Sequence, residues 1–173
     1  MGTSREQLKP SSWWRIVFIG RRPDFTLLRI LILTIFSLII FNFVLLPIRI
    51  QRVSMEPNYK DRGINFVNRL AYLFHEPRRG DVVAIRFSGP HAMLLKRIVG
   101  LPGETIGFHA GQLLINGRVM PEPYVKLPCD WEMDALKIAA DEYYVVGDNR
   151  SMAWADHKQG RASRDQILGK ILL

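Results

Sequence analysis

The stretch LLINGRVM, residues 113–120, places two short apolar runs on either side of Asn116-Gly117. A two-residue type I′ turn needs positive φ at both central residues, and Asn-Gly tolerates that backbone. The stretch is therefore predicted to form a β-hairpin, with strands at 112–115 and 118–120.

Other short runs of strand-forming residues, separated by turn residues, extend this pattern along the chain. Further strands are predicted at 81–87, 93–99 and 143–146, and Pro102-Gly103 marks a turn between them. Residues 134–140 are predicted to form one or two turns of helix. The region after residue 46 is therefore predicted to be mostly β.

Residues 25–46 form one long apolar segment that carries a single charge, Arg29, near one end. At about 1.5 Å per residue it reaches roughly 33 Å, which is enough to cross the hydrocarbon layer. No polar stripe of helical period is wide enough to face water, which argues against a buried core helix. The segment is too long for a signal-sequence core, and no small-x-small site follows it. We predict a transmembrane anchor at 25–46.

The charges around this segment predict its orientation. Acidic residues before its centre are Glu6 and Asp24, whereas the basic residues there are Arg5, Lys9, Arg15, Arg21, Arg22 and Arg29. This excess predicts a cytoplasmic basic tail at 1–24 and an exported domain at 47–173, although Arg49 and Arg52 oppose it in part. The region after the anchor is long enough for one domain with its own core.

The composition narrows the classes of partner and site. The chain has 173 residues and a formal net charge of +8, which would permit a nucleic-acid binder. The charge is spread along the chain, and anionic membrane lipid explains much of it, so we predict a lipid partner and no nucleic acid. The single cysteine, Cys129, excludes an internal disulfide. The histidines lack metal-ligand spacing, so neither a metal nor a cofactor is predicted.

Ser54 follows the apolar segment closely, so its hydroxyl is a candidate nucleophile near a membrane surface. A serine needs a base, and a desolvated neutral lysine can serve. Lys96 is the candidate, because Leu94 and Ile98 share its face of the predicted strand and burial would lower the pKa of its amine. The alternative is a lysine whose ammonium reaches water, and Arg97 has similar apolar neighbours on the other face.

Five strings occur in an order that resembles the conserved boxes of type I signal peptidases. They are SMEP (54–57), RRGDVVAI (78–85), LLKRIVGLPGETI (94–106), LLINGRVMPEPYV (113–125) and YYVVGDNR (143–150). The resemblance implies a β-rich domain of antiparallel sheets behind one transmembrane helix. It also implies a membrane serine protease with a Ser/Lys dyad that removes signal peptides after a small-x-small site.

Carried over residue by residue, the resemblance implies that Ser54 is the nucleophile and Lys96 the general base. It implies an extended substrate between residues 48–53 and 92–95. This arrangement is strand addition, in which alternate side chains enter pockets. The residues expected to bind substrate are Ile50, Val53, Met55, Met93, Leu94 and Leu95; Met55 is equally well explained as a core residue.

The resemblance also suggests residues that support the dyad. The Ser54 N–H is expected to contribute to the oxyanion hole, and a second donor would come from Arg52, whose guanidinium could instead contact lipid phosphate. Asp148 is expected near the active site.

Several motif residues also have structural interpretations. Asp81, Asp148 and Asn149 are typical turn residues whose side chains bond nearby backbone. Arg97 and Arg150 are expected to form ion pairs.

The loop after Arg150 departs from the family pattern. Aligned without a gap, Ala153 and Ala155 replace a serine and an aspartate that support the lysine, and His157 replaces an arginine. A one-residue slip, which we prefer, instead aligns Asp156 with the aspartate. Ser151 would supply the missing hydroxyl if the loop bends.

Two alternatives to a general signal peptidase therefore stay open. The first is a catalytically impaired homologue that binds signal peptides. The second is a Ser/Lys protease dedicated to one secretion or conjugation system. The expected partners are preprotein signal peptides, membrane lipid and the secretion translocon. The expected location is the plasma membrane, with the mitochondrial inner membrane as the alternative.

Overall fold

The computed structural model describes residues 25–49, 53–60, 63–88, 92–127, 129–156 and 160–172. The chain divides into two compact units between Ile40 and Phe41. The predicted basic tail at 1–24, together with Ile50 and Arg52, lies outside the described residues.

The first unit contains α1 (Thr26–Ile39), and a π-helical turn (Ile40–Val44) follows α1 along the chain. The segment Thr26–Val44 is long and apolar enough to cross a membrane by length and composition. None of the described residues of α1 is buried.

The second unit is mostly β, as predicted. In the described part of the chain its strands are β1 (Leu45–Arg49), β2 (Ile64–Asn68), β3 (Val82–Ser88), β4 (Ala92–Gly100), β5 (Thr105–His109), β6 (Gln112–Ile115), β7 (Arg118–Val119), β8 (Met133–Lys137), β9 (Glu142–Val146), β10 (Gly160–Ser163) and β11 (Ile167–Leu172).

These strands form two antiparallel sheets. The larger has the order β1-β2-β11-β3-β4-β9-β10, and the smaller has the order β7-β6-β5-β8. In the larger sheet, Lys96 of β4 lies opposite Val83 of β3, and Arg97 lies opposite Val146 of β9. The sheet therefore places the Lys96 strand beside β9, which leads into the GDNR motif at residues 147–150.

The predicted hairpin is confirmed. Asn116 and Gly117 have φ of 52° and 75°, and Leu114 pairs with Val119 across the turn. The helix predicted at 134–140 is wrong, because β8 pairs with β5, where Ile106 lies opposite Leu136. A buried cluster that includes Ile106, Phe108 and Trp131 stabilises this sheet.

Gly111 and Gly103 provide a test of packing in the smaller sheet. Both have positive φ, 74° and 79°, but a Cβ at Gly111 would lie 2.0 Å from the Cys129 carbonyl oxygen, whereas one at Gly103 would meet nothing within 4 Å. We expect Gly103→Ala to destabilise by about 1 kcal/mol, from backbone strain alone. Gly111→Ala should cost about 1–3 kcal/mol more, because the neighbouring backbone must move. Chemical denaturation of both variants measures the difference, and equal losses would contradict this packing.

Candidate active site

Ser54 lies in the 3-10 turn Val53–Met55. Met55, the next residue, is 1% exposed and packs in the same core cluster as Leu95 of β4. Ser54 itself is half-buried. Met55 therefore packs the turn against the larger sheet, and the neighbouring Ser54 lies at the edge of the core.

Asn149 binds this turn from the loop that follows β9. Its backbone N–H donates to the Ser54 carbonyl at 3.0 Å, and its side-chain amide donates to the Val53 carbonyl at 3.1 Å. The Ser151 hydroxyl in turn donates to Asn149 Oδ1 at 2.7 Å. The position of the Ser54 turn therefore depends on Asn149, and Ser151 supports that asparagine.

Lys96 lies on β4, the strand that the Ser54 turn contacts. It is 2% exposed, and both Val83 opposite it and Ile98 on its own face are fully buried. The burial expected of Lys96 is confirmed. Its role as a base stays a prediction.

The next residue on β4, Arg97, forms a buried ion pair with Asp148. The Arg97 Nε and Nη2 groups donate to the two carboxylate oxygens of Asp148 at 2.8 and 2.6 Å, and Nη1 donates to the Gly80 carbonyl at 2.7 Å. Asn58 donates to Asp148 Oδ2 at 2.8 Å. The ion-pair role predicted for Arg97 is confirmed, and this pair ties the loop after β9 to β4 next to Lys96.

This pair corrects the local interpretation of Asp148. A turn aspartate was expected to bond nearby backbone, as Asp81 does by accepting from the Arg78 N–H at 3.0 Å. Asp148 is 1% exposed, and its carboxylate accepts from side chains that are distant in sequence. The difference arises because Asp148 is buried, where a carboxylate needs a cation to offset its desolvation.

The protonation states around this pair follow from its surroundings. Burial alone would lower the pKa of the Arg97 guanidinium, but its hydrogen bonds and charge attraction with Asp148 outweigh burial and raise the pKa. The centre of the Tyr124 ring lies 4.0 Å from the Arg97 guanidinium. Burial, and after it the neighbouring Glu122, raises the pKa of the Tyr124 hydroxyl. At neutral pH the Arg97 guanidinium is therefore a cation that binds Asp148 beside a neutral phenol.

Arg150 forms a second buried ion pair at the other end of the GDNR motif. It is 1% exposed, and its guanidinium binds both carboxylate oxygens of Glu122, one of them at 2.9 Å. The guanidinium also lies 5.3 Å from the Phe108 ring and 5.5 Å from the Trp131 ring. The predicted acid partner of Arg150 is confirmed. The Arg150–Glu122 pair links the loop after β9 to the segment that follows β7 of the smaller sheet.

Aromatic packing holds the loop that departs from the family pattern. Trp154 lies 5.0 Å from Trp131 between ring centroids, and the Trp131 indole donates to the Met152 carbonyl at 3.0 Å. Ala153 and Ala155 are exposed. Asp156 lies in a 3-10 turn (Trp154–Asp156), but its side chain is outside the described part, so neither alignment of this loop is tested.

The structure separates the described residues that were expected to bind substrate into two groups. Val53 and Met93 are 43% and 37% exposed, and Leu94 is half-buried. Leu95 and Met55 are 8% and 1% exposed and belong to the core cluster. The accessible members of the set therefore lie on the Ser54 turn and on the first half of β4.

Asn58 was missed by the sequence interpretation. It donates both to Asp148 and to the Tyr124 carbonyl, at 2.8 Å each. The one signal in the sequence was its position four residues after Ser54. That signal does not distinguish it from an ordinary surface asparagine in a turn.

A family comparison decides the relationship of this chain. A model of the signal peptidase family, peptidase S26, matches residues 25–173. The chain belongs to the signal peptidase family. The resemblance predicted from the five ordered strings is confirmed.

Individual relatives agree. Signal peptidase I of Leptolyngbya laminosa is 34% identical over 128 residues, which are 69% of this chain and 63% of that protein. Signal peptidase I V of Bacillus subtilis is 32% identical over 145 residues, 75% of this chain and 85% of that protein. This chain therefore spans less than two thirds of the first relative. A solved signal peptidase I from Enterococcus faecalis aligns with a TM-score of 0.47 and 24% identity, over 56% of this chain and 97% of that chain.

Proposed function

We propose that this protein is a membrane-anchored serine endopeptidase that removes signal peptides from exported preproteins. Ser54 is the proposed nucleophile and Lys96 the proposed general base. The observation that carries the proposal is the burial of Lys96, 2% exposed, on the strand that the Ser54 turn contacts. Removal from water disfavours the charged amine, and a neutral amine can accept a proton. Membership in the signal peptidase family supports the same function.

The proposed reaction passes through an acyl-enzyme. Lys96 Nζ accepts the proton of Ser54 Oγ as that oxygen bonds to the scissile carbonyl carbon. The tetrahedral intermediate then breaks its C–N bond, and Lys96 gives the proton to the leaving amine. Water attacks the resulting ester, loses a proton to Lys96, and releases the new carboxyl terminus while Ser54 regains its proton. The Ser54 N–H would stabilise the oxyanion, and Arg52 stays the candidate second donor.

Two strand edges in the described residues support an extended substrate. β9 pairs with β4 from Arg97 to Gly100, which leaves that edge of 92–96 without a strand partner in the described part. β1, which precedes the Ser54 turn, is the edge strand of its sheet. A preprotein segment that added between these edges would present alternate side chains to the same wall, and small pockets there would read positions −1 and −3.

The proposed topology follows the sequence. The basic tail at 1–24 would stay in the cytoplasm, residues 25–46 would span the plasma membrane, and residues 47–173 would be the exported catalytic domain. The apolar helix and the signal peptidase relatives fit a membrane-anchored protein. Lipid and the translocon are the proposed partners besides the preprotein.

The test of this function is cleavage by purified full-length protein in detergent. Several unrelated preproteins with alanine at −1 and −3 should each be cut after −1, as located by mass spectrometry of the products. Replacing the −1 alanine with leucine should lower kcat/KM by at least about 100-fold, because a tight pocket excludes the larger side chain. Equal cleavage of both versions would refute the small-x-small assignment. Cleavage of a single preprotein would favour a dedicated protease.

An impaired homologue is the second candidate. In the alignment without a gap, Ala153 and Ala155 replace side chains that support the lysine in the family pattern, and both alanines are exposed. Such a protein would bind preproteins without cutting them. Binding with no product over many hours, in protein whose unfolding transition is intact, would support this candidate over the protease.

Asn149 is expected to position the nucleophile. Asn149→Asp keeps an acceptor for Ser151 but replaces the amide donor to the Val53 carbonyl with an oxygen that repels it. We expect kcat to fall by about 10- to 100-fold with KM little changed, because a displacement of about 1 Å at a reacting group costs on the order of 100-fold. Ser151→Ala is the control, since it removes one support of Asn149 and should cost less. A loss of thermal stability that accounts for the whole effect would contradict a positioning role.

A further inference from the structure

The irregular segment at residues 121–125 follows β7 and carries Tyr124. Tyr124 is half-buried, and the centre of its ring lies 4.0 Å from the Arg97 guanidinium. A guanidinium over the face of an aromatic ring is attracted to it, and the attraction is stronger where water is excluded. The ring therefore packs on one face of the cation that binds Asp148.

The polar groups of Tyr124 reach two further parts of the site. Its hydroxyl donates to Glu122 Oε1 at 2.6 Å, and Glu122 binds the Arg150 guanidinium through both carboxylate oxygens. Its carbonyl accepts from the Asn58 amide at 2.8 Å, and the same amide donates to Asp148 Oδ2. Tyr124 therefore contacts residues that bind both Asp148 and Arg150 of the GDNR motif.

These contacts meet at the turn that carries Ser54. Asn58 is four residues after Ser54 along the chain. Asp148 precedes Asn149, whose backbone N–H donates to the Ser54 carbonyl at 3.0 Å. A displaced Tyr124 ring would shift the ion pair of Asp148, and with it the loop that binds the Ser54 turn.

We infer that Tyr124 is a positioning residue for the cleavage reaction. Its ring holds the Arg97–Asp148 pair, and through that pair the Ser54 turn, in the geometry that the reaction needs. This inference rests on the proposed function, since the cleavage rate is what expresses it. Tyr124 acts through Arg97, so its loss should lower kcat more than it raises KM.

Two substitutions separate the ring from the hydroxyl, with cleavage measured on purified full-length protein in detergent. Tyr124→Leu removes both, and kcat should fall by about 10-fold with KM changed by less than about twofold, because misplacing a reacting group costs rate. Tyr124→Phe keeps the ring over Arg97 and loses only the hydrogen bond to Glu122, so kcat should stay within about threefold of the parent. Tyr124→Met, whose side chain is longer, repeats the test in case leucine does not fold.

Tyr72 is the matched control, because its contacts are of the same kind. Its hydroxyl donates to Asp81 Oδ2 at 3.0 Å, its carbonyl accepts from Arg164 at 3.0 Å, and its ring lies 5.6 Å from the Arg164 guanidinium. Tyr72→Leu should therefore lower the unfolding temperature but leave kcat within about twofold of the parent. An equal fall of kcat in Tyr72→Leu and Tyr124→Leu would overturn the inference, because general loosening would then explain both.

A double variant tests the route through Arg97. Arg97→Lys keeps the charge but cannot stack on the ring or bind Asp148 through two nitrogen atoms. Adding Tyr124→Leu to Arg97→Lys should lower kcat by less than about twofold, because residues that act as a unit are not additive.

The outcomes distinguish this inference from the proposed function. An active parent whose kcat is unchanged by Tyr124→Leu would overturn the inference alone. A further loss of about 10-fold when Tyr124→Leu is added to Arg97→Lys would do the same, because independent effects add. A parent that cleaves no preprotein would overturn the proposed function and this inference together.

Discussion

Lys96→Met should lower kcat/KM for preprotein cleavage by at least about 1,000-fold, since removing the base that activates a serine costs on this order. Methionine has a similar length and no charge, so the buried site on β4 keeps its packing while the proton acceptor is lost. The expected result is a protein that unfolds at the same temperature as the parent but does not form the acyl-enzyme. Discontinuous assays with a radiolabelled preprotein measure a loss of this size.

The controls for this prediction are the same substitution at an exposed lysine and the loss of the Ser54 hydroxyl. Lys137→Met, on an exposed position of β8, should leave the rate unchanged. Ser54→Ala should cost as much as Lys96→Met, and the double variant should cost no more than either one, because residues that act as a unit are not additive. Additive losses, or undiminished hydrolysis by Lys96→Met, would show that Lys96 is not the base for Ser54.

Asp148→Leu should lower the free energy of unfolding by about 3–5 kcal/mol, which is the usual cost of removing one member of a buried ion pair. Asp148 is 1% exposed, and the Arg97 side chain is 13% exposed, so the guanidinium left behind cannot be fully rehydrated. Thermal and chemical unfolding of the full-length protein in detergent measure the loss. Cleavage should fall as well, because the same pair ties the loop that carries Asn149 to β4.

A double variant tests whether the loss comes from the unpaired cation. Arg97→Met with Asp148→Leu should be more stable than Asp148→Leu alone, because the second change removes the buried charge. The exposed pair His109–Glu132 is the matched control, with side chains 77% and 61% exposed. Glu132→Gln should have no measurable effect, because water screens such pairs. A double variant no more stable than Asp148→Leu would mean that packing, not charge, explains the loss.

Local chemistry determined several features of this protein without help from the fold. The Asn116-Gly117 turn needs only its own backbone preference, and the strands on either side follow from it. The apolar segment is long enough to span a membrane, which is a property of length and composition. In each case the deciding contacts are within a few residues along the chain.

Residues 134–140 show the limit of such reasoning. Ala135, Leu136 and Lys137 are good helix formers, yet they lie in β8. Leu136 pairs with Ile106 of β5, and this sheet buries a cluster of large apolar side chains. Helix propensity is worth a few tenths of a kcal/mol per residue, so long-range packing outweighs it.

Neighbouring residues Lys96 and Arg97 illustrate what only the tertiary structure decided. Both have apolar neighbours along β4, so the sequence offered no difference in environment between the two cations. The fold buries Lys96 almost completely, and it gives Arg97 the carboxylate of Asp148. The pairing of β4 with β9 brings Asp148 to Arg97. The loop that follows β9 and carries Asp148 also brings Asn149 to the Ser54 turn. A turn and an apolar span depend on near neighbours, whereas the partner of a buried charge depends on which distant strands meet.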